Sequence, residues 1–379
     1  MTNYTKIQFI GYGVQTSTLT QVVPTGTADP YTADATTRAK ALCAAADFVR
    51  TDQSSRIGGD NTLKVFVAPE FFFRYGGPAQ GATPVLDSYP NGDAVLPEVT
   101  EKVLKPFFQT KEFNNWLVVP GTMFWHRPAE DSGTGHPLYF NTVLALRGGV
   151  PAELSEAEQE GNRDPGSLPA VASATTNQKQ LMSHIDYDGS APGANTNRDA
   201  ALNSAYQQVM GDWEFWRWHT FAVHGVNDSN GDPITFGLEV CLEHVRRLGH
   251  RTSGPGVLRH METLWPAQTR EPMPRVDVHL VTSCGMDLDA QDGITARVGG
   301  YAAICDGMRP GTGAVWPTTD VQRVTAVEPS GVRRTNDVRP GPRNMELPVG
   351  LQLCLPGQAV TPKDSVAIWE PVDYRPCDA

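Results

Sequence analysis

The sequence lacks the features that mark several classes of protein. It has no run of Lys and Arg, and its formal net charge is -11 with a pI of about 5.3, so nucleic acid and anionic membrane surfaces are poor partner candidates. No stretch approaches the ~18 apolar residues of a membrane-spanning helix, and residues 1–18 lack the basic and long apolar segments of a secretory signal. We therefore expect a soluble protein of the cytoplasm with no membrane partner.

Cysteine is sparse and scattered. The chain has six cysteines among 379 residues, and none forms a Cys-x-x-Cys pair. Such wide spacing in a long chain favours reduced thiols and a cytosolic setting. His219 and His224 are five residues apart, which is not the i, i+4 spacing of two metal ligands on a helix, and no cysteine cluster lies near them. We expect no metal site.

Short apolar segments alternate with segments of helical periodicity along most of the chain. The predicted helices are 38–50, where apolar side chains recur at i, i+3, i+4 and i+7, and 96–109, where Pro106 is expected to kink or end the helix. The predicted strands are 6–14, 63–68, 115–121, 139–149, 234–241, 276–284 and 301–305. Strands that alternate with helices indicate a layered α/β fold.

Three segments interrupt this alternation. Residues 149–178 are rich in Glu, Pro, Ala and Ser, and residues 186–199 are rich in Gly, Asp, Asn and Pro, so both are predicted to be loop insertions. From residue 307 to residue 379, Pro and Gly are frequent and apolar runs are short. We therefore predict a main domain over residues 1–306 and a C-terminal extension over residues 307–379.

Three polar residues occupy positions that suit a catalytic site. Glu70 follows the apolar strand in KVFVAPEFFFR, and Cys241 ends the strand in ITFGLEVC. Lys179 is one of only eight lysines and the only one between Lys111 and Lys363. Each residue also has a simple structural interpretation: a turn carboxylate, a solvated lysine and a small buried thiol. Their combination decides between these interpretations.

At these positions the chain resembles the nitrilase (carbon–nitrogen hydrolase) superfamily, which uses a Glu-Lys-Cys triad in this chain order. The segment VAPEFFF resembles the glutamate motif of the family, and GLEVCLEH is similar to its cysteine motif, closest to the nitrilase branch. The resemblance covers roughly residues 5–306. It implies a four-layer α-β-β-α sandwich of two sheets and a homo-oligomer built from dimers, with no cofactor.

The resemblance also implies a reaction. A free thiol has a pKa near ~8.5, so Cys241 needs a base, which would be Glu70. The Cys241 thiolate would attack the carbon of a small-molecule nitrile or amide, ammonia or an amine would leave, and water activated by Glu70 would release a carboxylic acid. Lys179 and the backbone N–H of Leu242 would stabilise the developing charge. The Cys-x-Glu-His form favours a nitrile over an amide substrate.

Further residues are candidates for substrate contacts. Many family members carry a second glutamate shortly after the lysine, but here the segment KQLMSHIDYDG offers Asp186 instead. Glu243 could orient the cysteine turn or touch substrate. Tyr75 and Trp125, with the run Phe71–Phe73, could line an apolar pocket, although packing in the core is the alternative interpretation. Cys284 is the rival nucleophile, but its position favours a pocket-lining or core residue.

Two other functions remain open from the sequence. The same acyl-enzyme could pass its acyl group to an amine, which would make the protein an amide-forming acyltransferase. The scaffold could instead be a non-catalytic binding protein, although a binder has no need of all three triad residue types. The reactivity of Cys241 towards alkylating reagents separates the enzymes from the binder.

Overall fold

The protein is a mixed α/β molecule with two mixed β-sheets. The computed structural model describes residues 2–16, 22–23, 27–75, 88–127, 138–151, 153–164, 166–179, 217–244, 256–288, 293–307, 318–353 and 363–374. The helices are α1 (Pro30–Asp52), α2 (Gly92–Val99), α3 (Lys105–Phe108), α4 (Glu156–Arg163) and α5 (Val257–Thr269). No helix in these ranges is both long enough and apolar enough to cross a membrane.

The first sheet, sheet I, has ten strands. They are β2 (Lys6–Gly13), β3 (Thr62–Val67), β4 (Tyr89–Pro90), β5 (Trp116–Val119), β6 (Thr122–Arg127), β7 (Leu138–Arg147), β9 (Ala174–Gln178), β16 (Arg343–Glu346), β17 (Ser365–Ile368) and β18 (Val372–Asp373). The main path runs β16-β17-β2-β3-β5-β7-β6-β4, with β18 beside β2 and β9 beside β7. The central strands β2, β3 and β5 are parallel.

The second sheet, sheet II, has eight strands. They are β1 (Thr2–Tyr4), β8 (Ala170–Val171), β10 (Thr220–Asp228), β11 (Pro233–Val240), β12 (Val278–Ser283), β13 (Tyr301–Asp306), β14 (Thr318–Val327) and β15 (Arg333–Asp337). The main path runs β1-β10-β11-β12-β13-β14-β15, with β8 beside β10. Strands β11, β12 and β13 are parallel, so their carboxyl ends lie at the same edge.

A single hydrophobic core joins the two sheets. Phe9 and Val65 of sheet I are buried in the same cluster as Phe236 and Leu280 of sheet II. Since successive strand residues point to opposite faces, Phe66 lies on the other face of sheet I, in a second cluster that contains much of α1. These clusters explain why the central strands are apolar on both faces.

Helix α5 lies on the face of sheet II that points away from this core. A Cβ atom on Gly237 of β11 would lie only 2.7 Å from Cδ1 of Leu258. The missing side chain at Gly237 therefore lets the helix approach the strand closely. Leu258 and Trp265 are buried in a small cluster along the helix.

The predicted strands are confirmed within two residues at their ends, and the helix predicted at 38–50 is longer. The second predicted helix corresponds to α2, a π-helical segment at Thr100–Leu104 and α3, which follow one another without a break. Pro106 is the second residue of α3. Proline cannot donate the usual backbone hydrogen bond, and wider π-turns are a common adjustment inside helices. The chain stays helical as far as Phe108 rather than ending at Pro106.

The segment predicted as a loop at 149–178 contains regular structure. Helix α4 starts with a capping box in which the Ser155 side chain accepts from the Glu158 N–H and the Glu158 carboxylate accepts from the Ser155 N–H. Strand β9 then pairs with β7. The second predicted insertion, 186–199, lies outside the described residues. In the predicted C-terminal extension, β14 and β15 extend sheet II, and β16, β17 and β18 join sheet I.

Candidate functional site

Glu70 lies where the two sheets come together. It follows β3 by three residues and is fully buried. Its backbone N–H donates to the carbonyl oxygen of Ser283, the last residue of β12, at 3.2 Å. The next residue, Phe71, has a left-handed backbone with a φ of 59°, which is uncommon for a side chain of this size. The turn that carries Glu70 in sheet I is thereby tied to sheet II.

Lys179 forms a buried ion pair with Glu70. The Lys179 Nζ atom lies 2.7 Å from Glu70 Oε1, and neither side chain has exposed surface. The side chain of Asn141 donates to the same carboxylate oxygen at 2.9 Å. Residues 109 positions apart are thus in direct contact. A buried carboxylate with two donors on one oxygen is held in one orientation.

The position of Lys179 follows from strand pairing. Lys179 is the residue after β9, and its backbone N–H donates to the carbonyl oxygen of Asn141 at 2.9 Å. Because β9 pairs with β7, the same register delivers both the ammonium and the Asn141 amide to Glu70. The ammonium also lies 5.8 Å from the centre of the Phe71 ring. An aromatic face at this distance stabilises a positive charge.

Cys241 follows β11 directly and has a strained backbone. Its φ is 49°, in the left-handed region that L-residues rarely adopt, and its side chain is buried. The parallel register pairs Val240 with Thr282, so the following residues, Cys241 and Ser283, are at the same level along the two strands. The carbonyl oxygen of Ser283 accepts from the backbone N–H of Glu70. Strained residues cluster at functional sites. The register of β11 and β12 therefore places the backbone of Cys241 near the strand end whose Ser283 carbonyl accepts from the Glu70 N–H.

Glu243 supports the turn that contains Cys241. One of its carboxylate oxygens accepts from the backbone N–H of Val240 at 2.8 Å, and the other lies 3.5 Å from Nε2 of His219. The Glu243 side chain is almost fully buried. A carboxylate that bonds back to the residue before the cysteine fixes the turn, which favours the orienting role over a substrate contact. Leu242, the candidate oxyanion donor, lies in the same 3₁₀ turn, Cys241–His244.

A second buried carboxylate fixes the Cys241 turn from the other side. Glu239 Oε2 lies 2.9 Å from Nδ1 of His244 and 2.9 Å from Nε2 of His279, and Oε1 accepts from the N–H of Leu258 at 2.7 Å. We call Glu239, His244 and His279 the Glu239 clamp. Burial alone would raise the pKa of Glu239, but the charge and hydrogen bonds of the two histidines lower it to about 2. The clamp connects β11, the Cys241 turn, β12 and α5.

The three clamp residues also have the donor types of a metal site. Their ligand atoms lie within 4.8 Å of one another. However, the backbone N–H of Thr295 points at Nδ1 of His279 at 3.2 Å, so this nitrogen accepts and Nε2 must carry the proton. In metal sites the second histidine nitrogen usually donates instead. Burial lowers the pKa of His279, and the charge of Glu239 and the hydrogen bond to it oppose this shift.

Cys284, the rival nucleophile, lies close to Glu70. Burial and the Glu70 charge raise the pKa of its thiol to about 12. A thiol with so high a pKa is almost entirely protonated at neutral pH and is a poor nucleophile. Cys284 packs with Phe71, Phe124 and Tyr139 in a small buried cluster, which supports the pocket-lining or core interpretation.

Tyr75 and Trp125 lie apart from this small cluster. The Trp125 ring stacks on Phe140 at 4.3 Å, and its Nε1 donates to Thr142. The Tyr75 ring lies 4.6 Å from that of Tyr31. Tyr75 and Trp125 both belong to the hydrophobic cluster that packs against α1 on sheet I. Phe124, one residue before Trp125, points to the other face of β6 and belongs to the small cluster with Cys284. Asp186 lies outside the described residues.

Three residues of the site were not found by sequence reasoning. Asn141 is a polar residue inside an apolar strand, which is a signal that could have been used. Ser283 contributes through its backbone and gives no such signal. Asp306, at the end of β13, accepts from the N–H groups of Gly285 and Met286 at 2.6 and 2.9 Å and from the Ser283 hydroxyl. It thereby fixes the loop that holds Glu70.

No protein-family model matches the chain, and no curated protein matches it.

Proposed function

We propose that the protein is a cysteine-dependent hydrolase of a non-peptide carbon–nitrogen bond in a small-molecule nitrile or amide. The observation that carries the proposal is the fully buried Glu70–Lys179 ion pair at 2.7 Å, tied through Ser283 to the strand beside Cys241. Buried ion pairs contribute little net stability because both charges lose their hydration. An ion pair of this kind, tied to the strand next to the one that ends in a left-handed cysteine, supports a chemical role.

The reaction begins with Cys241. Its thiol proton passes to Glu70, and the thiolate adds to the electrophilic carbon. With an amide, the tetrahedral intermediate expels ammonia, which takes the proton from Glu70, and a thioester remains. With a nitrile, the nitrogen takes that proton to give a thioimidate; one water molecule then adds to the thioimidate carbon and ammonia leaves, which gives the same thioester.

The second half-reaction releases the acid. Glu70 takes a proton from water, the resulting hydroxide adds to the thioester, and the Cys241 sulfur leaves and regains the proton. Lys179 and the backbone N–H of Leu242 stabilise the negative charge on the oxygen or nitrogen of each intermediate. The overall reaction consumes one water molecule for an amide and two for a nitrile, and it needs no cofactor.

The fold that belongs to this proposal is the four-layer α-β-β-α sandwich. It is supported by the hydrophobic core between the sheets, by α1 on the outer face of sheet I and by α5 on the outer face of sheet II. A homo-oligomer built from dimers and a cytoplasmic location are part of the proposal. Cys43, Cys241, Cys284 and Cys305 are free thiols, which fits a reducing compartment.

The test is ammonia release from a panel of aliphatic and aromatic nitriles and amides. Cys241→Ala should reduce release by about 10⁴-fold or more while the protein stays folded, because the nucleophile is lost. Cys43→Ala, which removes a buried thiol of α1, is the matched control and should keep parent activity. Iodoacetamide should alkylate Cys241 faster than the other thiols.

The panel also separates the alternatives. Full activity in Cys241→Ala and lost activity in Cys284→Ala would assign the nucleophile to Cys284 and overturn the mechanism. Rapid alkylation of Cys241 without ammonia release, but with amide formation when an amine acceptor is added, would identify an acyltransferase. A Cys241 that is inert in both assays would identify a binding protein.

A further inference from the structure

Asn141 is a buried polar residue on a face of β7 that is otherwise apolar. It has no exposed surface, and Val143 and Ala145, the next residues on the same face, belong to the hydrophobic core between the sheets. Thr142 points to the opposite face, where it accepts a hydrogen bond from Trp125. A buried amide is unfavourable unless it is hydrogen-bonded, so such groups almost always have specific partners. The partners of Asn141 therefore explain why a polar residue occupies this position.

The strand register places Asn141 between Phe124 and Lys179. On one side, Phe124 of β6 pairs with Asn141. On the other side, Thr142 pairs with Gln178 of β9. The next residues of this antiparallel pair, Asn141 and Lys179, are therefore opposite each other, and the Lys179 N–H donates to the carbonyl oxygen of Asn141 at 2.9 Å. Opposite residues of neighbouring strands project to the same face of a sheet, so the pairing of β6, β7 and β9 fixes the position of the amide.

The two oxygens of the Glu70 carboxylate have different surroundings. Oε1 accepts from Lys179 Nζ at 2.7 Å and from Asn141 Nδ2 at 2.9 Å. An ionised carboxylate can only accept hydrogen bonds, so the amide nitrogen of Asn141 must be the atom that faces it. Each carboxylate oxygen has two lone-pair sites, and two donors occupy both sites of Oε1. A proton that arrives at Glu70 is therefore directed to Oε2.

We propose that Asn141 is a positioning residue that, together with Lys179, occupies Oε1 of Glu70, so that the thiol proton is taken up and given back at Oε2. This inference rests on the proposed hydrolase function. In the first step the S–H bond of Cys241 breaks, the Oε2–H bond forms and the electron pair stays on sulfur. When the leaving nitrogen takes that proton, the electron pair of the O–H bond stays on Oε2 and the carboxylate is restored. Oε1 keeps the same two donors in both states, so no donor has to move between the steps.

The amide of Asn141 suits this task because it is a neutral donor. A second cation beside Lys179 would stabilise the ionised form of Glu70 further and weaken it as a base. An apolar side chain would leave one lone-pair site of Oε1 open, and the proton could then be taken at either oxygen. The other charged or titratable side chains on the segments around Glu70 are Arg74, Tyr139, Cys241, Cys284 and Asp306. None of them is altered by the substitutions that test the proposal.

The test is the pH profile of the acylation rate in the first turnover, measured on the full chain with the panel substrate that releases ammonia fastest. Asn141→Leu removes the donor at similar volume. The acid limb of the profile should move up by about one pH unit, because the ionised form of Glu70 loses a hydrogen bond, and the plateau rate should fall by about tenfold. Asn177→Leu is the matched control. Asn177 is buried and pairs with Val143 on the same face of the sheet, but among the described residues its side chain bonds to the Gln178 N–H and not to Glu70. The control should keep the acid limb in place.

The outcomes separate this inference from the proposed function. A parent protein without Cys241-dependent acylation would overturn the proposed function and this inference with it. A parent that is acylated at Cys241, with the same acid limb in Asn141→Leu, would overturn this inference alone. An equal shift in Asn177→Leu would assign the effect to core packing and would also overturn it. If Asn141→Leu does not fold, Asn141→Val suits a strand, also lacks the donor and should move the limb in the same direction.

Discussion

Glu70 is the residue on which the proposed chemistry depends most. It is surrounded by Lys179, Asn141 and the ring of Phe71, so its carboxylate is held by donors and screened from water. The adjacent left-handed backbone of Phe71 adds local strain that a mere turn carboxylate would not require. These features connect the geometry of one side chain to its proposed role as base.

Replacing Glu70 by Gln should slow acylation strongly. Glutamine preserves the shape and one oxygen acceptor but cannot take the thiol proton, so we expect the acylation rate to fall by about 10²- to 10⁴-fold. Stopped-flow measurement of the first turnover checks this. Glu112→Gln, at an exposed position, is the control. An unchanged acylation rate in Glu70→Gln would remove Glu70 as the base.

At this scale the sequence predicted the Glu70–Lys179 contact but not its surroundings. The scarcity of lysine made Lys179 conspicuous, and the resemblance to a family with a Glu-Lys-Cys triad implied the pairing. Ser283 bonds to Glu70 through a backbone carbonyl, which any residue type could provide. Its role depends on the register of β12 beside β11, and register cannot be read from an apolar run alone.

The turn after β11 is the element that positions the nucleophile. Two buried carboxylates, Glu239 before the cysteine and Glu243 after it, bond to different parts of the surrounding structure. The Glu239 clamp reaches α5 and β12, so the conformation of the turn depends on three elements at once. This explains how a left-handed cysteine can be maintained in a buried position.

Replacing Glu239 by Gln should loosen this turn. The two histidine N–H groups share one carboxylate oxygen and Leu258 uses the other, whereas glutamine offers a single oxygen and two unwanted hydrogens. We expect the free energy of unfolding to fall by about 1–3 kcal/mol and the turnover rate to fall as well. Urea unfolding and kinetics measure the two effects. Glu346→Gln, on the surface, is the control.

The sign of the pH dependence follows from the lowered pKa. In the folded protein the pKa of Glu239 is about 2, against an ordinary value of 4.5. Its contribution to stability is therefore complete above pH 4.5 and is lost as pH falls towards about 2. A parent and a Glu239→Gln protein that lose stability in parallel over this range would contradict the clamp.

Buried strands could be predicted from the sequence, whereas exposed polar helices and strands could not. The predicted strands around β3, β5, β11, β12 and β13 are continuous apolar runs because both faces are buried. Helix α4 has no buried residue, so it carries no apolar period, and only the Ser155–Glu158 capping box marks it in the sequence. Strand β15 is largely exposed and gives a similarly weak signal.

The stability of the whole molecule should depend on pH through a buried acid in the C-terminal part. Burial raises the pKa of Asp364 from 3.8 to about 7, although the Leu353 N–H and Arg38 oppose this. The folded state holds this proton more tightly than the unfolded state. The neutral form therefore favours folding, and stability is lost as pH rises from about 4 to about 7.

Asp364→Asn should consequently stabilise the protein at pH 8. The amide oxygen can keep the hydrogen bond from Leu353 without a buried charge. The gain should be up to about 4 kcal/mol at pH 8 and should vanish below pH 4. Urea unfolding across this range checks it. Asp337→Asn, on an exposed strand, should show no such trend, and a pH-independent effect of Asp364→Asn would contradict the assignment.

Strand β17 has a consequence for how the protein is made. Its residue Ser365 pairs with Gly13 of β2, so two neighbours in sheet I are about 350 residues apart in the chain. At ~5–20 residues per second, a ribosome would synthesise β2 some tens of seconds before β17. Throughout that time one edge of β2 has no strand to pair with and is open to other chains. The nascent polypeptide is therefore expected to need a chaperone during translation, however stable the finished protein is.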